Sequence, residues 1–376
     1  VLPGKLAVDN NFLFRYSEYR AAGGSHFAKK ESENMIQERF VGNHYECGFR
    51  FGSLLAERGN FILDQIPFSI TEERLQFAAA CLPVYKKYFP KILEEIRGIA
   101  EGQRCPAERL QAVLFSMYAM PPACRCSCFA VSNGTEILFG RNSDFLTEFQ
   151  DNNRNVQYCF SDGSHAFYGN TTSFVQMEDG VNEKGLAAGL TSVYPPSGAS
   201  GPLIAPGMNA GLLLRFFLER CASVEEALVW LKRLPVSSAQ TFTLADAGGK
   251  IAVAECFAGG LKVIRPEKET MRKQAFVCAT NLFHSEELKR FNEPGIDTWE
   301  AGPRYQTMQR ALEAEAGEMV LSDALDLLSG RKGFLCQYDR RTGKDTVWSV
   351  VYDLKRRKIY EAYGNPSRCE FVETAF

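Results

Sequence analysis

The spacing of apolar positions divides the chain into a mainly helical first third and a remainder dominated by period-two alternation. Residues 35–41 read as a short strand, and Asn43 is placed to cap a helix running to about residue 65. Thr71 followed by Glu72 and Glu73 starts the next helix, with an acceptor and negative charge at the positive end of its dipole. Pro83 and Pro90 divide the stretch from Thr71 to Gly102 into kinked or successive helices. Ile92, Leu93, Ile96 and Ile99 share a helical face that ends at Gly102. Pro106 opens another helix, through Leu110, Val113, Leu114 and Met117, that stops at Pro121-Pro122.

Beyond Pro122, strands are predicted at 126–131 and 136–140, joined by the hairpin signal Asn133-Gly134. Further strands are expected at 155–160, 165–169, 172–177 and 185–191. Two apolar helices, 206–221 and 224–234 with Ser223 as the second cap, precede strands at 239–246, 250–256, 261–265 and 275–280. Helices near 303–315 and 322–328 lead to a final hairpin, 346–352 and 358–363. Strands in series with helices inserted in blocks predict an α+β fold with antiparallel sheets, not a βαβ fold.

Composition narrows the function classes. Forty-three basic and 45 acidic residues leave a net charge of −2, which offers no footprint for nucleic acid and no basic patch for a membrane surface. No apolar run approaches the roughly 20 residues of a membrane helix. Residues 1–14 lack a basic stretch followed by an apolar one, so no signal peptide is expected. Cys81, Cys159, Cys221 and Cys278 sit singly in apolar runs, which favours buried free thiols and a cytoplasmic protein over a disulfide scaffold. The four histidines, His26, His44, His165 and His284, form no metal-ligand pair, and no metal or organic cofactor is expected. An enzyme of this sequence should run on chemistry that dispenses with histidine.

One cluster stands out at the change of period: Cys124-Arg125-Cys126-Ser127-Cys128. It lacks a second ligand cluster for a metal. Alternating cysteines could be small core residues of one strand face, a reading that suits Cys128, or one of them could be a nucleophile at a strand start. The Asn133-Gly134 hairpin would fold Gly140-Arg141-Asn142-Ser143-Asp144-Phe145 back beside that cysteine. There an arginine can favour a thiolate and a carboxylate can hold an amine.

Cys126-Ser127-Cys128-Phe129-Ala130, the Asn-Gly turn and Gly140 to Phe145 together resemble the nucleophile strand of N-terminal-nucleophile cysteine hydrolases. More narrowly they resemble the isopenicillin N acyltransferase family (acyl-CoA:6-aminopenicillanic acid acyltransferase), with choloylglycine hydrolase and acid ceramidase as more distant relatives. Glu46-x-Gly48-x-x-x-Gly52, Tyr88 to Lys91 and Glu94 to Ala100 support the likeness upstream. Gly180 to Ala187, Ala279-Thr280-Asn281 and the helix start at Arg304 support it downstream.

The resemblance implies a four-layer αββα sandwich of two antiparallel sheets. It also implies cleavage of the Arg125–Cys126 bond, with 1–125 retained as a mainly helical chain against 126–376 in a heterodimer. The family's spacing from nucleophile to aspartate selects Cys126 with Asp144. By the same likeness Asn281 supplies an oxyanion donor, Asp144 holds the new amine, Arg304 and Arg141 orient the site, and Asn142 and Thr191 support it. Two departures are visible: Arg125 stands where relatives often have glycine, and Thr191 where they commonly have asparagine. The implied activity is acyl transfer from a small-molecule amide or acyl-CoA through a Cys126 thioester to water or an amine. The alternative is a non-catalytic protein in which the cysteine strand is only core.

Overall fold

Capping sets the first helices. The chain, known from a computed structural model, is described over residues 36–66, 68–119, 125–194, 204–266 and 275–375. The predicted stop at Pro121-Pro122, His26 and Cys124 lie outside them. Strand β1 (Ile36–Gly42) leads through Asn43 into α1 (His44–Glu57), where Asn43 and Glu46 form a reciprocal capping box. The helix ends at Glu57, short of the expected 65, and a separate turn, α2 (Ile62–Gln65), comes after it. Thr71 caps α3 (Glu72–Tyr88), and Pro90 opens α4 (Pro90–Gly102), before α5 (Ala107–Ser116).

The break expected at Pro83 is absent: α3 runs through it. Buried Ala78, Cys81 and Tyr85 dock one face of that helix, and tertiary packing outweighs the lost backbone bond. Helices α1 and α4 meet at backbone distance. A Cβ on Gly48 would fall 2.1 Å from the Glu95 carbonyl oxygen, so only glycine permits this crossing.

Fourteen strands form two sheets among the described residues. The six-stranded sheet is ordered β11-β2-β3-β12-β13-β14 and is antiparallel throughout. Its strands are β2 (Arg125–Ser132), β3 (Ile137–Leu146), β11 (Ala275–Ala279), β12 (Lys344–Asp353), β13 (Lys358–Ala362) and β14 (Val372–Ala375). The eight-stranded sheet is ordered β1-β4-β5-β6-β7-β8-β9-β10. It comprises β1, β4 (Arg154–Phe160), β5 (Phe167–Thr171), β6 (Asp179–Asn182), β7 (Leu186–Ser192), β8 (Gln240–Asp246), β9 (Ile251–Phe257) and β10 (Gly260–Ile264). Its one parallel pair is β1 with β4. The strand expected at 172–177 does not form; the pairing falls on β6 instead, while β14 had no expectation.

Three apolar clusters separate four layers. Helices α1, α3 to α5, α6 (Ala210–Arg220) and α7 (Val224–Leu231) pack on the outer face of the large sheet. Cys128, Ala130, Phe139, Ala187, Val253, Val350 and Tyr352 fill the space between sheets. Phe129, Val131, Leu138 and Val351 meet α8 (Ala301–Glu315) and α9 (Leu321–Leu328) on the far side. This is the αββα arrangement.

Residues before 125 are built into it, since β1 extends the large sheet and α1 and α3 to α5 share its outer core. The alternation along β2 matters most. It sends Cys126, Cys128 and Ala130 between the sheets and Ser127, Phe129 and Val131 toward α8 and α9. Gly189 of β7 lets the sheets close there, because a Cβ would lie 2.7 Å from Phe139 Cζ and 3.1 Å from Cys128 Sγ.

Candidate active site

Register brings the chemistry together. The Asn133 hairpin pairs Arg125 with Asp144, Cys126 with Ser143 and Cys128 with Arg141. Cys126 and Arg141 both point between the sheets, and Arg141 Nη2 donates to Cys126 Sγ at 2.7 Å. Both residues are fully buried. A fixed guanidinium at that distance stabilises negative charge on sulfur.

Arg141 is itself held from the opposite sheet. Its Nη1 donates to Asp179 Oδ2 at 2.9 Å, Nε to the Leu190 carbonyl at 3.4 Å and Nη2 to Glu178 Oε2 at 3.4 Å. Its guanidinium also lies 5.5 Å from the Trp348 ring centroid. Burial alone would lower the arginine's pKa, but Cys126, Asp179, Cys128 and Glu178 together drive it well above the ordinary value, so the cation is permanent. The Cys128 thiol, by contrast, is pushed up to about 12 by burial, against the opposing pull of Arg141. Cys128 is a core thiol.

The backbone of Cys126 is fixed as firmly as its sulfur. Its N–H donates to Asn281 Oδ1 at 2.9 Å, and Asn281 Nδ2 donates to the Ser192 carbonyl at 2.9 Å. Arg304, in the first turn of α8 and fully buried, donates from Nη1 to the Cys126 carbonyl at 2.6 Å and to Ser127 Oγ at 2.8 Å. Its Nη2 reaches Asn281 Oδ1 at 2.9 Å and the Thr298 carbonyl at 3.0 Å, and Nε reaches the Trp299 carbonyl at 3.0 Å.

The turn that supplies these carbonyls is strained. Trp299 and Glu300 have φ of 51° and 58°, the left-handed region that side-chain-bearing residues rarely occupy. Asp144 Oδ2 lies 3.4 Å from Arg304 Nη1. Thr346 Oγ1 donates to Asp144 Oδ1 at 2.6 Å, and the Tyr338 hydroxyl to Oδ2 at 3.1 Å. Burial raises the Asp144 pKa, and Arg304, Thr346 and Tyr338 oppose that rise.

Cysteine, arginine, asparagine and carboxylate thus converge on one strand start. The sequence profile described as "Acyl-coenzyme A:6-aminopenicillanic acid acyl-transferase" matches residues 131–368, more than half of the chain. The chain belongs to that family. Asp144, Asn281 and Arg304 lie within the matched segment, and Cys126 lies five residues ahead of it. Membership places the chain among enzymes of the N-terminal-nucleophile hydrolase and acyltransferase kind.

No curated protein matches. Among solved structures, the chain is similar to a Caenorhabditis elegans ortholog of N-acylethanolamine-hydrolyzing acid amidase, with 16% identity over 61% of this chain and 93% of that one and a TM-score of 0.44. It is also similar to penicillin V acylase from Agrobacterium tumefaciens, at 17% identity over 63% and 82% and a TM-score of 0.42. A mutant conjugated bile acid hydrolase from Clostridium perfringens shows 15% identity over 66% and 92%, with a TM-score of 0.42.

Around this acyltransferase-family site, the two expected supporting residues Asn142 and Thr191 bond to neighbouring parts of the fold. Asn142 points to the helical side, its Nδ2 donating to the Leu328 carbonyl at the end of α9 at 3.0 Å. The Thr191 hydroxyl donates to the Thr280 carbonyl at 2.7 Å and lies 2.6 Å from Thr241 Oγ1, anchoring the residue before Asn281. In the continuous chain the Cys126 nitrogen is met by Asn281, and the Asp144 carboxylate by Arg304. Arg125 turns away from the sulfur into a seat formed by Tyr194, Asp297 and Trp299.

Glu178 and Asp179 were not expected in the site, although two acids directly before Gly180 are a signal when buried. Ser127, Tyr338 and Thr346 were not expected either, and for them the sequence carries no signal. Away from this site, His44, Glu95 and Glu219 offer ligand atoms within 4.8 Å of one another. Arg215 already donates to both carboxylates, at 2.7 and 2.5 Å, and supplies the positive charge.

Proposed function

We propose that this acyltransferase-family chain cleaves its own Arg125–Cys126 bond and then transfers acyl groups through a Cys126 thioester. One observation carries the reading: a buried arginine donates to the sulfur of Cys126 while Asn281 and Arg304 hold that residue's backbone on either side. Self-cleavage starts when Cys126 Sγ attacks the Arg125 carbonyl carbon. The carbon–nitrogen bond breaks, the thiol proton goes to the departing nitrogen, and a thioester with a free α-amine results. Water then adds to the thioester, releasing the Arg125 carboxylate and the thiol.

The new amine, with a reference pKa of about 7.7–8.0, can act as base without a histidine. It takes the thiol proton, the thiolate attacks the donor carbonyl, and the proton passes to the leaving amine, or to the leaving thiolate of an acyl-CoA. The thioester is resolved by water or by an amine acceptor. Asn281 Nδ2 carries two N–H groups, one of them on the Ser192 carbonyl, and the second can donate to the tetrahedral oxygen. Asp144, opposite Arg125 in register, borders the bond that breaks and is suited to hold the new ammonium. The shared core of residues before 125 with the large sheet supports a retained heterodimer of 1–125 and 126–376. No helix among the described residues is long and apolar enough to cross a membrane.

Intact mass and N-terminal sequencing test the proposal. Two associated fragments are expected, the larger beginning Cys126-Ser127-Cys128, with Cys126→Ala uncleaved and inactive and Cys128→Ala still cleaved. Full activity from an uncleaved chain would overturn it, as would a Cys126 that no acyl donor or thiol reagent modifies.

A further inference from the structure

Arg125 does not trail from the strand as an exposed cation. It is 6% exposed, with its guanidinium 4.2 Å from the Tyr194 ring centroid and 5.8 Å from that of Trp299. Nε and Nη2 both donate to the Asp297 carbonyl, at 3.2 and 2.6 Å, and Nη1 donates to the Tyr194 hydroxyl. Among the described residues, the Asp297 carboxylate pairs with Lys344, whose ammonium lies 5.1 Å from the Trp299 ring, and Asp144 stands opposite Arg125 in register. Asp297 is exposed, so the seat reaches the surface. It therefore offers aromatic faces and oxygen acceptors matched to one cation.

From this we infer that the Arg125 seat, once Arg125 leaves it as the new C-terminal residue of the retained chain, is the acyl-side subsite of the mature enzyme, and that it selects donors whose acyl group carries a guanidinium or similar cation about as far from the carbonyl as in arginine. The inference rests on the proposed self-cleavage, in which the chain is its own first acyl donor. The Arg125 carbonyl carbon forms the first thioester with Cys126 Sγ. A later donor must place its carbonyl carbon at that sulfur, in reach of the same oxyanion donor. Its acyl substituent then runs where the Arg125 side chain runs now. A neutral chain of equal length would forfeit the hydrogen bonds that a guanidinium makes to the Asp297 carbonyl and Tyr194 hydroxyl, which is how polar subsites reject apolar analogues.

The test compares 5-guanidinopentanoyl and octanoyl 4-nitroanilides on the cleaved enzyme, with acyl-enzyme formation followed by intact mass. The guanidino donor should show kcat/KM higher by about tenfold or more. Tyr194→Phe should reduce that ratio and Tyr194→Ala should bring it near one. In a cell-free synthesis time course, Arg125→Met and Arg125→Glu chains should cleave about tenfold or more slowly than the parent. Equal or preferred use of the octanoyl donor would overturn the inference while leaving the thioester mechanism standing. So would a cleaved enzyme that neither donor acylates. A chain that neither cleaves nor reacts at Cys126 would overturn the mechanism as well.

Discussion

Replacing Arg304 puts the most structure at risk in one step. Its guanidinium donates to Cys126 O, Ser127 Oγ, Asn281 Oδ1 and the carbonyls of Thr298 and Trp299, and it is the charge partner of Asp144. Arg304→Met keeps the apolar stem and removes all of these. The buried carboxylate then loses its counter-charge, and breaking such a pair costs about 3–5 kcal/mol. Arg304→Lys keeps the charge but not the planar fork, and orphaned acceptors make about 1–3 kcal/mol the expected loss.

Urea denaturation in a Cys126→Ala background, which keeps one covalent chain in every sample, measures both. The pH dependence adds a second check. Burial raises the Asp144 pKa in the folded chain, so above its unfolded value, about 3.9, the folded state binds more protons and stability falls as pH rises. Removing Arg304 raises the folded value further, so the deficit of Arg304→Met should be smaller near pH 4 and grow toward pH 8. A loss under about 1 kcal/mol with no such trend would refute the claim that Arg304 and Asp144 form a working buried pair.

Asn281→Ala should leave the chain folded and cut turnover by about 10²–10³, as the loss of one oxyanion donor does; near-normal steady-state rates would remove it from the site. His44 has both ring nitrogens on carboxylates, Nδ1 2.6 Å from Asp162 Oδ2 and Nε2 2.8 Å from Glu219 Oε2, an arrangement that needs the imidazolium. Burial would lower its pKa, yet Glu219 and Glu95 raise it overall, so its contribution is full below about pH 6.5 and lost as pH rises through the folded value. The stability gap between parent and His44→Gln, read by thermal melts from pH 6 to 9, should therefore narrow with rising pH, and a constant gap would contradict this. Gly48→Ala should cost about 1–3 kcal/mol or more in the same denaturation assay, because its Cβ meets backbone rather than a side chain that can turn aside.

Local signals made much of the fold legible. The Asn133-Gly134 hairpin is fixed by a few adjacent residues, so the pairing of the cysteine strand with the Arg141–Asp144 strand could be read from sequence. Helix starts at Asn43 and Thr71 were legible for the same reason: a cap acts within one turn. Family likeness then pointed to Asn281 and Arg304, which no local pattern distinguishes from a turn residue and a surface arginine.

Tertiary structure decided the rest, because it depends on which surfaces meet. Whether Pro83 breaks a helix is settled by the docking of Cys81 and Tyr85, not by the proline alone. The pleat alone gives Asn142 and Arg141 opposite faces; which of those faces meets the other sheet is a matter of packing. Glu178 and Asp179 reach Arg141 only because β6 of one sheet stacks over β3 of the other. Thr346 and Tyr338 reach Asp144 only after the C-terminal strands complete the small sheet. The residues that could react were thus set along the chain, whereas the charges and hydrogen bonds that hold them came from segments far apart in sequence, joined when the two sheets closed.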